Sequence, residues 1–169
     1  MEKLFEGLET VQDVDTSIKD VVKDAGNPDV TSPEWNDYVL SHFEKSEMYD
    51  GRPLCHGLRR VAEFLIGRIV SSRPTQVFAP NNNGQEIGRA TVVWEIIFQN
   101  GHVFSDVADC WEGNTDDMFC VFNTATAATR AEGRALRKAL RLRTVAAEEM
   151  TKKDTAAVVR SLSQAKAVV

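Results

Sequence analysis

The chain has 169 residues, of which 43% are hydrophobic, so it is long enough to bury one sizeable core and is not disordered throughout. Its net charge of −5 argues against a protein that coats nucleic acid through bulk positive charge. No apolar stretch approaches the roughly 20 residues that span a bilayer, and the acidic N-terminus resembles no secretory signal, so we expect a cytoplasmic protein without a membrane partner.

Charge and cysteine content narrow the possibilities further. Residues 1–50 have a net charge of −9, whereas residues 51–169 have a net charge of +4. Cys55, Cys110 and Cys120 form no CxxC pair and have no histidine at metal-ligand spacing, so the sequence indicates neither a zinc site nor a disulfide framework. We therefore expect no cofactor.

Three helices are predicted before the first strand. Apolar residues near helical spacing predict an acidic amphipathic helix over residues 2–24, which Gly26, Asn27 and Pro28 end. A cap followed by Pro33 starts a second helix over about 33–46. Apolar residues recur every three to four positions from Leu54 to Ile69, which is typical of a helix that enters the core.

Three strands are predicted next, over residues 75–79, 90–99 and 102–111. β-branched and aromatic residues dominate the first two runs, and a long polar loop separates them. Asn100-Gly101 best tolerates the positive φ angles of a two-residue hairpin turn, so the last two strands should be antiparallel. If Gln99 faces His102, then Val103 and Val107 share an apolar face with Trp94, and a helix covers that face.

The clearest charge feature is a predicted helix over residues 125–143, because residues 121–143 contain one acid, Glu132, and six cations. Its apolar stripe, which should face the sheet, consists of Phe122, Ala125, Thr129, Gly133, Leu136 and Leu140. A stripe of Ala128, Ala131, Ala135 and Ala139 suggests a subunit contact. The basic stripe consists of Arg130, Arg134, Arg137, Lys138 and Arg141, and arginine's planar fork suits phosphate.

The segments GHVFSDVADCWEG and ATRAEGRALRKALR resemble the single-strand annealing proteins of phages, the Erf, Sak and RecT/Redβ groups. The order of elements also resembles the Rad-fifty-two annealing proteins of eukaryotes. LRKALR at 136–141 resembles the family's basic helix, so the resemblance implies that Arg137, Lys138 and Arg141 contact DNA phosphates; Arg130 and Arg134 match the phage pattern. It also implies rings or filaments that hold single strands without ATP.

The sequence thus predicts an α+β fold whose core is a helix, a three-stranded antiparallel β-sheet and a basic helix, with helical N- and C-terminal extensions. We divide the chain into an acidic helical segment (1–50), a single-strand-binding annealing core (51–143) and a helical extension (144–169). The predicted function is non-enzymatic annealing of complementary strands in phage recombination and repair. The expected partners are single-stranded DNA, further copies of the chain and a host single-strand-binding protein. Arg59 and Arg60 are added to the predicted DNA contacts as a second basic group.

Two alternatives remain open. The predicted hairpin register places Glu95 opposite Asp106, and paired carboxylates can bind magnesium, as in a metal-dependent nuclease. Alternatively, the basic helix docks on an acidic protein partner, such as the chain's own N-terminal segment. Salt-sensitive DNA affinity distinguishes phosphate binding from protein docking.

Overall fold

The computed structural model describes residues 26–80 and 88–151, together with residues 154, 156, 157 and 160. The helix predicted over residues 2–24, the 81–87 loop and most of residues 152–169 lie outside the described residues. Within the described part, four α-helices accompany a three-stranded antiparallel sheet, which confirms the predicted α+β class.

The predicted core order of helix, three strands and helix is confirmed. The helices are α1 (Trp35–Ser41), α2 (Cys55–Leu65), α3 (Asp117–Cys120) and α4 (Asn123–Leu140). A small separate hairpin is formed by β1 (Met48–Tyr49) and β2 (Arg52–Pro53). The three-stranded sheet contains β3 (Ile69–Phe78), β4 (Ala90–Phe98) and β5 (Val103–Cys110), in that order across the sheet. Short 3-10 helices cover Lys45–Glu47 and Ala147–Glu149.

The β4–β5 hairpin differs by one residue from the predicted register. Trp94 pairs with Asp106, so the loop has three residues, 99–101, instead of two. Gly101 has a φ of +84°, and its N–H donates to the Phe98 carbonyl at 2.9 Å. This arrangement is typical of a type I turn followed by a glycine bulge, and only the glycine then needs positive φ.

The one-residue shift reverses which β5 side chains face the helices. Val103 and Val107, predicted to join the core, are 54% and 47% exposed, whereas Cys110 is fully buried. The prediction for the two valines is wrong because successive residues of a strand point to opposite faces. Asp106 now lies on the face that α4 covers, and this places a carboxylate beside the basic helix.

Helix α4 is buried on two sides, so its apolar residues do not form the single stripe that the sequence predicts. Ala127 and Ala131 are fully buried in a cluster with Ala90 and Val92 of the sheet. On the other side, an added Cβ at Gly133 would lie 3.9 Å from Leu58 of α2. Part of the alanine stripe therefore packs on the chain's own sheet, because small side chains let a helix approach closely.

Phe122 shows the same error at the start of α4. The sequence places it in the core stripe, yet its side chain is 66% exposed. A helical projection cannot distinguish one wide buried face from two separate ones. The predicted core stripe therefore included a position at the start of α4 that faces solvent.

The main core draws residues from all three predicted parts of the chain. Trp35 and Val39 of α1 and Ala146 near the C-terminal end are buried in the same cluster as Leu136. The Trp35 indole N–H also donates to the Leu140 carbonyl at 2.8 Å, at the end of α4. The three-part division stays a prediction. None of the helices in the described part is long and apolar enough to cross a membrane.

Candidate nucleic-acid interface

Arg130, the first cation of the predicted stripe, is buried inside the protomer. It is 6% exposed, and its Nε donates to the Glu148 carbonyl at 2.6 Å. Its Nη1 donates to Thr115 Oγ1 at 2.8 Å, and further bonds reach the carbonyls of Asp109 and Asn114. This guanidinium links α4 to the end of β5 and to the 3-10 helix Ala147–Glu149. A phosphate cannot reach it in this conformation.

Arg134 and Arg137 share one carboxylate, that of Glu149. Arg137 donates through Nε to Oε1 at 2.6 Å and through Nη2 to Oε2 at 2.9 Å, which is a two-pronged contact. Arg134 Nη1 approaches Oε2 of the same group at 3.2 Å. These two cations therefore share one negative charge, which comes from a residue that follows α4 in the chain.

Asp106 forms ion pairs with both Lys138 and Arg134. Its carboxylate oxygens lie 3.1 Å from Lys138 Nζ and 3.3 Å from Arg134 Nε. Burial would raise the pKa of Asp106, but the Val107 N–H and the two cations outweigh it and lower that pKa. Lys138 still presents 58% of its side chain to solvent, although its ammonium also donates to the Ser105 carbonyl.

Arg59 and Arg60 on α2 are also paired within the chain. Arg59 contacts Glu132 of α4 and Ser72 of β3. Arg60 donates to Glu47 through Nε at 2.6 Å and Nη2 at 2.5 Å, which lowers the pKa of that carboxyl to about 2. Because Glu47 belongs to the acidic N-terminal part, Arg60 links that part to the core.

Two exposed arginines remain at the C-terminal end of α4. Arg141 caps the helix in a left-handed conformation with a φ of 50°, and Arg143 follows two residues later. Within residues 26–80 and 88–151, neither side chain has a carboxylate at ion-pairing distance. Arg141 is thus exposed, as a contact to phosphate requires. Arg143, which the predicted site omits, is exposed beside it.

Glu95 and Asp106 lie on opposite faces of the sheet, which contradicts the geometry on which the nuclease alternative depends. Glu95 pairs in register with Ser105, and its Oε1 lies 3.6 Å from Arg73 on β3. Asp106 instead faces α4. In the part of the chain that the structure describes, no group of three or more His, Cys, Asp or Glu side chains is arranged to hold a metal ion.

An open cavity of about 590 Å³ lies beside this charged cluster. Its lining includes Arg89, Arg130 and Arg134 together with Glu149 and Thr151. Arg89 lies over the Trp111 ring, with its guanidinium carbon 4.8 Å from the ring centroid, and is 3.5 Å from Asp109. The cavity thus borders the carboxylate that covers Arg134 and Arg137.

The acidic partners of the basic helix are the residues that sequence reasoning missed. Asp106 was assigned to the wrong face because of the hairpin register. Glu149 carried a usable signal in the sequence, since it and the adjacent Glu148 are acids that follow a basic helix after a short connection. A return of the chain over α4 brings the Glu149 carboxylate to Arg134 and Arg137, and the Glu148 carbonyl to Arg130.

The chain matches no protein-family model, and no curated protein is similar enough to it to count as a relative.

Proposed function

We propose that this protein binds single-stranded nucleic acid through phosphate contacts and pairs complementary strands without ATP or catalysis. The observation that carries the proposal is the exposed cationic end of α4. Lys138, Arg141 and Arg143 lie within six residues, and the two arginines have no ion-pair partner among the described residues. The site is smaller than the predicted stripe, since Arg130 is removed from it.

The position of these cations suits a sequence-independent contact. Phosphate contacts carry no base information, so a strand held by its backbone keeps its base edges free for pairing. A three-residue site is too small to bind a strand tightly by itself. Annealing through it therefore requires several copies of the chain along one strand, where each contact raises the effective concentration of the next.

The wider proposal keeps the process and partners that the resemblance implies. These are recombination and repair in the cytoplasm of a phage host, with single-stranded DNA, further copies of the chain and a host single-strand-binding protein as partners. The element order of α2, three strands and α4 supports it. The docking alternative uses the same cations, which are mostly paired internally, so the salt dependence of nucleic-acid affinity is what separates the two functions.

The test is the affinity for a labelled oligo-dT strand, measured by fluorescence anisotropy across a salt series. Replacing Arg141 and Arg143 by Gln should weaken binding about tenfold and make the slope of log affinity against log salt shallower by about 1.4. The matched control replaces Lys45 and Arg52 by Gln, which removes the same charge near the small β1–β2 hairpin. Equal losses in both variants would contradict the assignment.

Annealing itself needs a second measurement. Mixing the protein with two complementary labelled strands, without nucleotide, should accelerate duplex formation, and the Arg141→Gln, Arg143→Gln variant should lose most of that acceleration. Binding without acceleration would indicate a passive coat and would overturn the annealing part of the proposal.

A further inference from the structure

Residues 144–151, which we name the C-terminal strap, return over the basic side of α4 and place Glu149 on Arg134 and Arg137. The Arg137 fork meets both oxygens of Glu149, at 2.6 and 2.9 Å. A guanidinium binds a phosphodiester with the same two parallel donors. We propose that Arg134 and Arg137 form a second phosphate site, that Glu149 occupies it in this conformation, and that nucleic acid displaces the strap. The inference rests on the proposed function.

The two ends of the strap are held in different ways. At its base, Ala146 is fully buried, and its Cβ lies 3.6 Å from the position of an added Cβ at Gly133. Beyond Ala146, residues 147–149 are half-buried, and Arg130 Nε donates to the Glu148 carbonyl at 2.6 Å. Glu148 accepts a hydrogen bond from the Cys55 N–H at 2.9 Å, and Thr151 donates to Asp116 at 2.7 Å. Met150 is exposed.

This distribution of contacts allows the tip to leave while the base stays. None of residues 147–151 is a buried apolar residue. The main interactions lost on release are therefore ionic contacts and hydrogen bonds, the Arg130 bond to the Glu148 carbonyl among them, and phosphate and water can replace such bonds. Arg134 remains beside Asp106 after release, whereas Arg137 loses both of its bonds to a carboxylate. Arg137 is therefore the cation that the strap controls most directly.

The surroundings favour a polyanion as the displacing ligand. Outside the strap, the open cavity beside Glu149 is also lined by Arg89 and Thr91, and by Asp109, which pairs with Arg89. A strand that follows this cavity toward the end of α4 would meet Arg134, then Arg137, then the exposed Arg141. The strap thus regulates how much of the basic helix a strand contacts, and a closed strap lowers apparent affinity by the fraction of open molecules.

The first test compares oligo-dT affinity between the wild-type chain and Glu149→Gln. Glutamine keeps the shape of the side chain but removes the charge that competes with phosphate, so affinity should rise about tenfold. Asp37→Asn removes one negative charge from an exposed position of α1 and serves as the control for net charge, with a much smaller change expected. Adding Arg137→Gln to Glu149→Gln should cancel the gain.

The second test uses the unaltered chain, so it does not depend on how any variant folds. The Ala146 N–H donates to Glu149 Oε1, and the Glu149 and Met150 N–H groups bond within the 3-10 helix. Saturating oligo-dT should speed hydrogen exchange at these three amides, because displacement of the strap breaks those bonds. Amides in the middle of α4 should not exchange faster.

The outcomes separate the two proposals. If the wild-type chain binds oligo-dT, Glu149→Gln binds it equally well and the strap amides keep their protection, the strap inference is overturned and the proposed function stands. If neither the wild-type chain nor Glu149→Gln binds the strand, both are overturned. If Glu149→Gln binds and the wild-type chain does not, the strap is supported as a strong inhibitor.

Discussion

Arginine serves two purposes in α4, and its neighbours decide which one. Arg130 lies inside α4, whereas Arg141 is the left-handed residue that ends the helix. Arg130 meets the end of β5 and the strap and donates to atoms of Asp109, Asn114, Thr115 and Glu148. Arg141 lies beyond the last helical turn, where no described carboxylate reaches it. The guanidinium of Arg130 thus has a structural role, whereas the guanidinium of Arg141 is available to bind a ligand.

The structural role of Arg130 predicts a large loss of stability from a change that keeps its charge. Arg130→Lys should lower the free energy of unfolding by about 2 to 4 kcal/mol, because one ammonium cannot replace donors that point in several directions and buried acceptors lose partners. Arg141→Lys is the control and should change it by less than about 0.5 kcal/mol. Urea unfolding at neutral pH measures both. If Arg130→Lys proved as stable as the control, the buried contacts would contribute little.

Elements were predicted better than their relations to one another. Periodicity located α2, β4, β5 and α4 because those signals are local and strong. The register failed because Asn100-Gly101 fits a two-residue turn and a three-residue loop equally well, and one residue decides which face Asp106 occupies. The prediction that the basic stripe is open to solvent was wrong, because a projection of one helix contains no information about another segment that packs over it. The sequence could therefore predict that Arg141 and Lys138 are exposed cations, whereas it could not predict the burial of Arg130.

Two glycines should respond with opposite sign to the same substitution. Gly133 lies inside α4, and an added Cβ would meet its nearest neighbour, Ala146, at 3.6 Å, which is ordinary contact. Gly133→Ala should therefore raise the free energy of unfolding by about 0.5 to 1 kcal/mol. Gly101 has open space around it but a φ of +84°, so Gly101→Ala should lower that energy by about 1 kcal/mol or more. Thermal unfolding of both variants is the measurement, and stabilisation by Gly101→Ala would contradict the turn geometry.

On the scale of the whole molecule, we expect the proposed oligomer to use a cluster of exposed apolar side chains. Four of them lie within five consecutive positions of the α3–α4 junction, Met118, Phe119, Val121 and Phe122, each at least half exposed. The outer face of the sheet adds Val103 and Val107. By contrast, the β5 edge is partly covered by side chains, since Lys138 and Arg130 donate to the carbonyls of Ser105 and Asp109. If the chain self-associates, we therefore expect contact through the junction rather than pairing of β5 with another strand.

A single polar substitution at the junction should then weaken self-association and nucleic-acid binding together. Phe122→Ser removes an exposed ring while placing a favoured capping residue at the start of α4, so the helix should persist. Sedimentation velocity should show smaller assemblies for this variant, whereas Tyr49→Ser, which removes an exposed ring from β1, should leave them unchanged. If assembly supplies the contacts that one protomer lacks, the Phe122→Ser variant should also lose affinity for long oligo-dT much more than for a strand short enough for one protomer. Equal losses on both strand lengths would mean that each protomer binds independently, and the cationic end of α4 would then have to bind the strand without help from neighbouring copies.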